Sequence, residues 1–327
     1  MIFKCKNCGG NVIYSPDKKQ MYCPHCEGLE SQDPVPAVSI TECANCGAPM
    51  NIGEYTSATK CDHCGSYIVF DQRVGGDFVP HLILPFKISK DQAAKRLKDE
   101  FGKRIFTPAS FLSETTLQSM EGIYVPFWLY DFYAHVDFEG RGSKIKVWRV
   151  GNTEYTETSI YSVQRNMTVD FDKIPVDASK AMEDGIMDLM EPYEYAALED
   201  FQEKYMSGFY SEFFNQSALE LEFRAAEKAK KDSESLLRET ISGYATVSTV
   251  NENINLERDV VKYALMPVWL YVFYYRGKTY KYHVNGQTGK IIGNTPVSFQ
   301  KIIAYGLTLF ASATTLALLL RTILEVL

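Results

Sequence analysis

The sequence predicts an α+β protein built from two small N-terminal zinc ribbons, a mixed body with an antiparallel β-sheet and helices, and one C-terminal transmembrane helix. Three observations carry that expectation. All eight cysteines fall in the first 64 residues as four Cys-x-x-Cys pairs, strand-like and helix-like segments alternate through the middle of the chain, and residues 302–320 form an uncharged apolar run. The expected units are a ribbon at 1–30, a linker at 31–40, a second ribbon at 41–72, the body at 77–298 and the span at 302–320.

Composition bounds what these units can do. The chain has 327 residues, 46% hydrophobic and 23% charged, which describes a folded protein with one sizeable core and small appendages. Its 41 acidic and 34 basic side chains leave a net charge of -7, so no whole-molecule field gathers phosphate or anionic lipid. The N-terminus, MIFKCKNCGG, lacks the apolar core of a secretory signal. The cysteine-bearing end is therefore expected in a reducing compartment, without disulfides.

The cysteines stand as Cys5-x-x-Cys8, Cys23-x-x-Cys26, Cys43-x-x-Cys46 and Cys61-x-x-Cys64, and the second four repeat the first at a constant offset of 38. A tetrahedral zinc site needs four soft donors about 2.3 Å from the metal, and each Cys-x-x-Cys turn supplies two. Glycines follow Cys8, Cys46 and Cys64, where a knuckle needs positive φ, while Cys26 is followed by Glu27-Gly28. Structural zinc, two ions each bound by four cysteines, is the leading reading. Redox Cys-x-x-Cys chemistry, an iron–sulfur cluster or another metal compete with it. Four thiolates leave zinc no open position for water, and His25 and His63 read as loop residues. Modules this short draw their folding free energy from the metal.

Between the ribbons, EGLESQDPVPAVSI carries acids and two prolines, which predicts a stiff, extended linker and ribbons that move semi-independently. Residues 1–75 hold six basic against eight acidic side chains. That sign makes a poor counterion-releasing surface, so nucleic acid is a disfavoured partner and protein the expected one.

After Gly75-Gly76, Pro80–Phe86 predicts a short strand, and Ser89 with Gln92 a capping box opening a helix with Ala93, Ala94, Leu97 and Phe101 on one face. Strands dominate 122–171, a helical region follows from about 179, and Ala218–Ile241 is the strongest helix candidate. The chain ends its body in a hairpin around Asn285–Gly289. Val125–Tyr133 (VPFWLYDFY) is echoed by Met266–Tyr274 (MPVWLYVFY) at an offset of 141. These predict equivalent strands of one antiparallel sheet, each entered at proline, with their aromatics in the core. No catalytic constellation is legible: no cysteine is left as a nucleophile, there is no phosphate loop, and His81, His135 and His283 are scattered. An enzyme would need a deep polar pocket around His135 or His283.

The run Ile302–Leu320 would reach about 28 Å as a helix, close to a bilayer's hydrocarbon thickness. Lys301 and Arg321 bracket it. With RTILEVL after it, the expectation is a tail-anchored protein of the cytoplasmic membrane. The eight thiols place the N-terminal domains in the cytoplasm.

The C-x-N-C-G knuckles, LPFKIS, GIYVPFWLYDF, MPVWLYVFYYRGKTYKYHVNGQTGKIIG and the closing apolar helix together resemble the bacterial membrane proteins called transcription factor IIB-type zinc ribbon-containing. The resemblance covers nearly the whole chain. It implies a non-enzymatic adaptor that recruits a phage-shock protein A-like membrane-remodelling protein, with a second membrane protein, during envelope stress. No small-molecule substrate is expected. The alternative is a membrane-tethered nucleic-acid-binding regulator of transcription or replication.

Overall fold

Two long strands with the same local sequence lie side by side at the centre of the fold. The structure is a computed structural model and describes residues 1–37 and 39–326, so Val38 of the expected linker and Leu327 of the tail lie outside it. The ribbons contribute β1 (Ile13–Ser15) and β2 (Gln20–Tyr22), then β3 (Thr56–Lys60) and β4 (Tyr67–Val69). The body runs β5 (Leu82–Ile83), α1 (Lys90–Phe101), α2 (Glu114–Leu117), β6 (Glu121–Val150), β7 (Thr153–Asp177), α3 (Asp184–Leu189), β8 (Glu199–Asp200) and β9 (Tyr210–Glu212). It continues with α4 (Ala218–Thr240), β10 (Thr246–Tyr275), β11 (Lys278–Asn285) and β12 (Ile291–Gly293), and the chain closes on α5 (Phe299–Val326). This is the α+β architecture the sequence predicts.

The echoed segments are the paired cores of β6 and β10. They run antiparallel with Val125 opposite Met266, its own counterpart in the repeat. The arrangement around that point is two-fold. Ile123-Tyr124 of β6 pairs in parallel with β9, and Ala264-Leu265 of β10, the same positions at the same offset, pairs in parallel with β5. Each long strand then turns back on itself, β6 into β7 and β10 into β11. The body is thus two copies of a β-α-β-β unit, in which each copy lends its first strand to the other copy's long strand. Pro126 and Pro267 sit inside the ladder opposite Leu265 and Tyr124, not at the strand entries. Parallel pairing hands over to antiparallel pairing at these points, where a missing N–H costs the ladder least.

Alternation along β6 and β10 sends side chains to two cores. Tyr124, Trp128, Tyr130, Tyr263, Leu265, Trp269 and Tyr271 face α1 and α4. Val125, Phe127, Leu129, Ala264, Met266 and Val268 face α3 and the segment after it. Both long helices start on a reciprocal cap. In α1 the Gln92 N–H donates to Ser89 Oγ at 3.5 Å and the Ser89 N–H to Gln92 Oε1 at 3.4 Å. In α4 the Glu220 N–H donates to Ser217 Oγ at 3.3 Å and the Ser217 N–H to Glu220 Oε2 at 2.7 Å. Ala93, Leu97 and Phe101 of α1, and Leu221, Ala225, Ala229, Ser233 and Leu237 of α4, are the buried stripes.

Two expectations are corrected here. The region after residue 179 is mostly short turns around the six-residue α3, because the chain there caps one sheet face rather than spanning it. The linker is not a spacer. Ile2 and Val35 exchange backbone bonds of 2.7 and 2.9 Å, and the Gln32 N–H donates to Lys4 O at 2.7 Å, so residues 30–35 fold back along the open edge of residues 2–6.

Candidate metal centres and the projecting hairpin

Four knuckles of one design hold the eight cysteines. The backbone N–H of Cys5, Cys23, Cys43 and Cys61 donates across its loop to Gly10, Gly28, Ala48 and Ser66 at 2.8–2.9 Å. The residue after the second cysteine donates back, from Gly9, Glu27, Gly47 and Gly65, to the first cysteine's carbonyl at 2.8–3.0 Å. Closing the turn puts that residue at φ +70°, 62°, +70° and +70° respectively. Glu27 therefore adopts the left-handed conformation that glycine fills in the other three.

This geometry gathers the sulfurs into two sets. Cys5–Cys26 and Cys8–Cys23 stand 3.5 and 3.6 Å apart, Cys43–Cys64 and Cys46–Cys61 3.7 and 3.9 Å, and within each set all four lie within 4.8 Å of one another. A tetrahedron with bonds of about 2.3 Å has sulfur–sulfur edges of about 3.8 Å. The donors thus fit a four-thiolate metal ion. One cysteine of each knuckle is buried and the other exposed. His25 and His63 are exposed and outside both sets.

Electrostatics say the same. The Gly28 amide favours the Cys26 thiolate, but the Cys8 and Cys5 sulfurs oppose it and the thiol is pushed up to about 12. Burial, reinforced by the Cys46 and Cys61 sulfurs, pushes Cys43 up to about 12. Four crowded sulfurs ionise together only around a cation. Burial also raises Cys64, yet the Ser66 hydroxyl and Asn45 amide outweigh it and bring that thiol down to about 5.

The second ribbon is tied to the first through these same groups. Asn11 Nδ2 of ribbon 1 and Asn45 Nδ2 both donate to Ser66 Oγ, which lies 3.1 Å from Cys64 Sγ, and Lys4 reaches Asn45 Oδ1. Ile2 packs with Ile68 and Phe70. Ribbon 1 also meets the body, where the Tyr14 N–H donates to Ser207 O at 2.8 Å and Ser207 Oγ to Val12 O at 2.7 Å. Ribbon 2 joins the body sheet outright, β3 pairing with β9. Semi-independent ribbons are therefore overturned: both are built into one surface.

A second feature had no counterpart in the sequence reading. Beyond the Ser143–Thr246 pair, β6 and β7 continue without β10 to a turn at Gly151. About seven residues per strand project roughly 23 Å. Ile145, Val147 and Ile160 are exposed, Ile160 by 72%, and on the other side Trp148 stacks on Tyr155 with rings 5.7 Å apart. Lys146 lies over the Trp148 ring and Lys144 over Tyr161 and Tyr244. At the arm's base the Tyr244 ring occupies the space a Cβ on Gly142 would need.

The histidines do not converge. His135 sits half-exposed on β6, 3.4 Å from Asp137. His283 is buried on β11, where burial drives it down to about 4, and aligns through Leu270 with Glu121, far along β6 from His135. The His81 ring is structural, its Nδ1 accepting from the Tyr263 N–H at 3.0 Å.

At the far end, α5 projects away from the body beyond its first turns, and its Phe299–Leu324 portion is long and apolar enough to cross a membrane. No family model matches the chain, and no solved structure matches it. An uncharacterized protein of Bacillus subtilis (strain 168), YdjG, is 32% identical over 315 residues, which cover 93% of this chain and 92% of that one.

Proposed function

The chain belongs to the family of that Bacillus subtilis protein, and from its two four-cysteine sets, apolar C-terminal helix and projecting hairpin we propose that it is a non-enzymatic, membrane-anchored zinc adaptor that docks cytosolic proteins at the cytoplasmic membrane. Each four-cysteine set holds one zinc ion, which closes a ribbon rather than activating water. α5 spans the bilayer, and the rest of the chain lies in the cytoplasm, where the thiols stay reduced.

The projecting β6–β7 hairpin carries this reading. Ile145, Val147, Trp148 and Val150 are held out in solvent on a two-stranded arm, with Ile160 exposed at its root, and apolar side chains grouped in this way suit a protein partner. Ribbon 2 extends the sheet at the other end of β6 through β3 and β9, and ribbon 1 is held beside it through Tyr14 and Ser207. A phage-shock protein A-type membrane-remodelling protein, with a second membrane protein beside it, is the partner that the sequence resemblance favours. In that case the setting is envelope stress.

The test is capture of the full-length protein from membranes, with bound proteins identified, for the parent and for Val147→Asp with Ile160→Asp. The expected result is a cytosolic protein lost from the double variant while membrane location and metal content persist. Recovery of nucleic acid in place of protein, or the same proteins from both chains, would sink the adaptor reading.

A further inference from the structure

We infer that the face of the body around the root of α5 is a lipid-docking collar that binds the phosphate groups of anionic headgroups. The inference rests on α5 as the membrane span. Its own content is that the folded body, and not the helix alone, touches the bilayer.

Loops of the body grip the root of the helix. The Ser298 N–H donates to Phe106 O at 2.8 Å, Lys301 Nζ to Thr107 O at 2.7 Å, and Arg104 Nη1 to Thr295 Oγ1 at 2.8 Å. The Phe106 ring packs on Tyr305, centroids 5.7 Å apart at 82°. Tyr305 lies four residues beyond Lys301, about 6 Å further along the helix axis. When the apolar run is in hydrocarbon, Phe106 is therefore held at the boundary, and its chain neighbour Ile105 is 57% exposed.

A second loop reaches the same level. The β10–β11 turn has positive φ at both Arg276 (50°) and Gly277 (74°), which fits a tight two-residue hairpin. It places the Arg276 guanidinium over the Phe299 ring at 5.7 Å.

The chemistry of the collar is one-sided. Lys103, Arg104, Arg276, Lys278 and Lys301 lie on these loops and at the helix root, and all are exposed. Glu100 is paired to Arg104 and offsets one of these charges. Exposed Ile105 and Phe299 lie among them. Basic groups ringing apolar side chains at the root of a span match the headgroup layer of an anionic leaflet, where lysine and arginine meet phosphate and the apolar tips reach the acyl boundary. The whole chain is acidic, so this attraction is local, and salt should screen it.

The experiment uses the full chain in vesicles of phosphatidylcholine alone and of phosphatidylcholine mixed with phosphatidylglycerol. Ile105→Trp reports contact by its quenching with lipids brominated along the acyl chain. The parent's Trp128 and Trp269 are buried and Trp148 is exposed on the β6–β7 arm, so quenching is read as the difference from the parent chain. Quenching is expected in the mixed vesicles and should fall about twofold or more with Lys103→Glu, Arg276→Glu and Lys278→Glu combined, or with phosphatidylglycerol omitted. Hydrogen exchange at residues 102–107 and 276–278 of the unsubstituted chain gives a second reading, with slower exchange expected in anionic vesicles. Flotation of the chain with no Ile105→Trp quenching, or with quenching and exchange indifferent to lipid charge, overturns the collar and leaves the anchor standing. A chain that fails to float overturns both.

Discussion

Trp128 and Trp269 make the same hydrogen bond at equivalent points on either side of the Val125–Met266 pair. Nε1 of Trp128 donates to Gln216 O and Nε1 of Trp269 to Ile88 O, each at 2.9 Å, and each carbonyl belongs to the residue just before the capping serine of a long helix. The indoles thus fix the entry angle of α4 and α1 over the sheet. They also identify the two halves of the body as copies, since the strand offset of 141 and the helix-entry offset of 128 meet in this one contact.

Replacing either indole with phenylalanine keeps most of the packing and removes the donor, which leaves a carbonyl in the core short of its partner. A loss of about 1–2 kcal/mol is expected for each. The sites lie six ladder positions apart, roughly 20 Å, so the double variant should show the sum. Thermal unfolding in detergent checks this. A strongly non-additive pair would mean that the two helix entries are coupled through the sheet.

Glu27 stands alone among the knuckle residues as a side chain forced to positive φ. Glu27→Gly should relieve about 1 kcal/mol of strain, partly offset by the entropy glycine adds to the unfolded chain. Ribbon 1 should then hold its metal longer against a chelator, with ribbon 2 unchanged. Metal release followed with a chromogenic chelator separates the two sites.

Much of this was legible from sequence because the signals were local. Cysteine spacing, the Ser89–Gln92 box and the apolar run each specify a structure within a few residues. The VPFWLYDFY echo announced paired strands. What the sequence concealed were contacts between distant segments: Asn11 reaching Ser66, Ser207 receiving Tyr14, and β3 adding to β9. The arm escaped because residues 144–159 carry charges and apolar groups on both faces, so no buried side imposes an alternating pattern. The prolines misled because Pro126 and Pro267 mark a change of pairing partner, which in sequence looks like a strand start.

Metal removal should reach beyond the ribbons. β3 and β4 extend the body sheet through β9, so collapse of the second set strips the outer neighbour from Tyr210–Glu212. Cys43→Ser with Cys46→Ser should halve the metal content and speed hydrogen exchange at residues 206–213, while Cys5→Ser with Cys8→Ser should loosen the Tyr14–Ser207 contact and leave β9 protected. Equal exchange at residues 206–213 in both variants would show that ribbon 2 is merely appended to the sheet.

Asp177 supplies a pH dependence that can be read apart from the metal sites. Its carboxylate is buried, bonded at 2.9 Å to Arg224, and its Oδ2 has no partner among the described residues. Burial raises it from 3.8 to about 6 despite Arg224, with Asp184 and Asp188 adding to the rise, and Glu191 nearby is raised as well, again by burial. A pKa raised in the folded state means that the folded chain binds the proton more tightly than the unfolded one. The stabilisation is therefore complete below the ordinary carboxylate value near 4 and is lost as pH rises through about 6. Acidifying from pH about 7.5 to about 5 should strengthen the α3–α4–β7 junction by about 1–1.5 kcal/mol, roughly half of what a two-unit shift gives once pH falls below 4. Asp177→Asn should flatten the rise and match the acidified parent at neutral pH, because Arg224 keeps Asp184 and Asp188. Hydrogen exchange at residues 174–190 across this pH range, corrected for the intrinsic rate, is the measurement. Protection that falls steadily as pH drops from about 7.5 would mean that Asp177 is held ionised and that its bond to Arg224 outweighs burial.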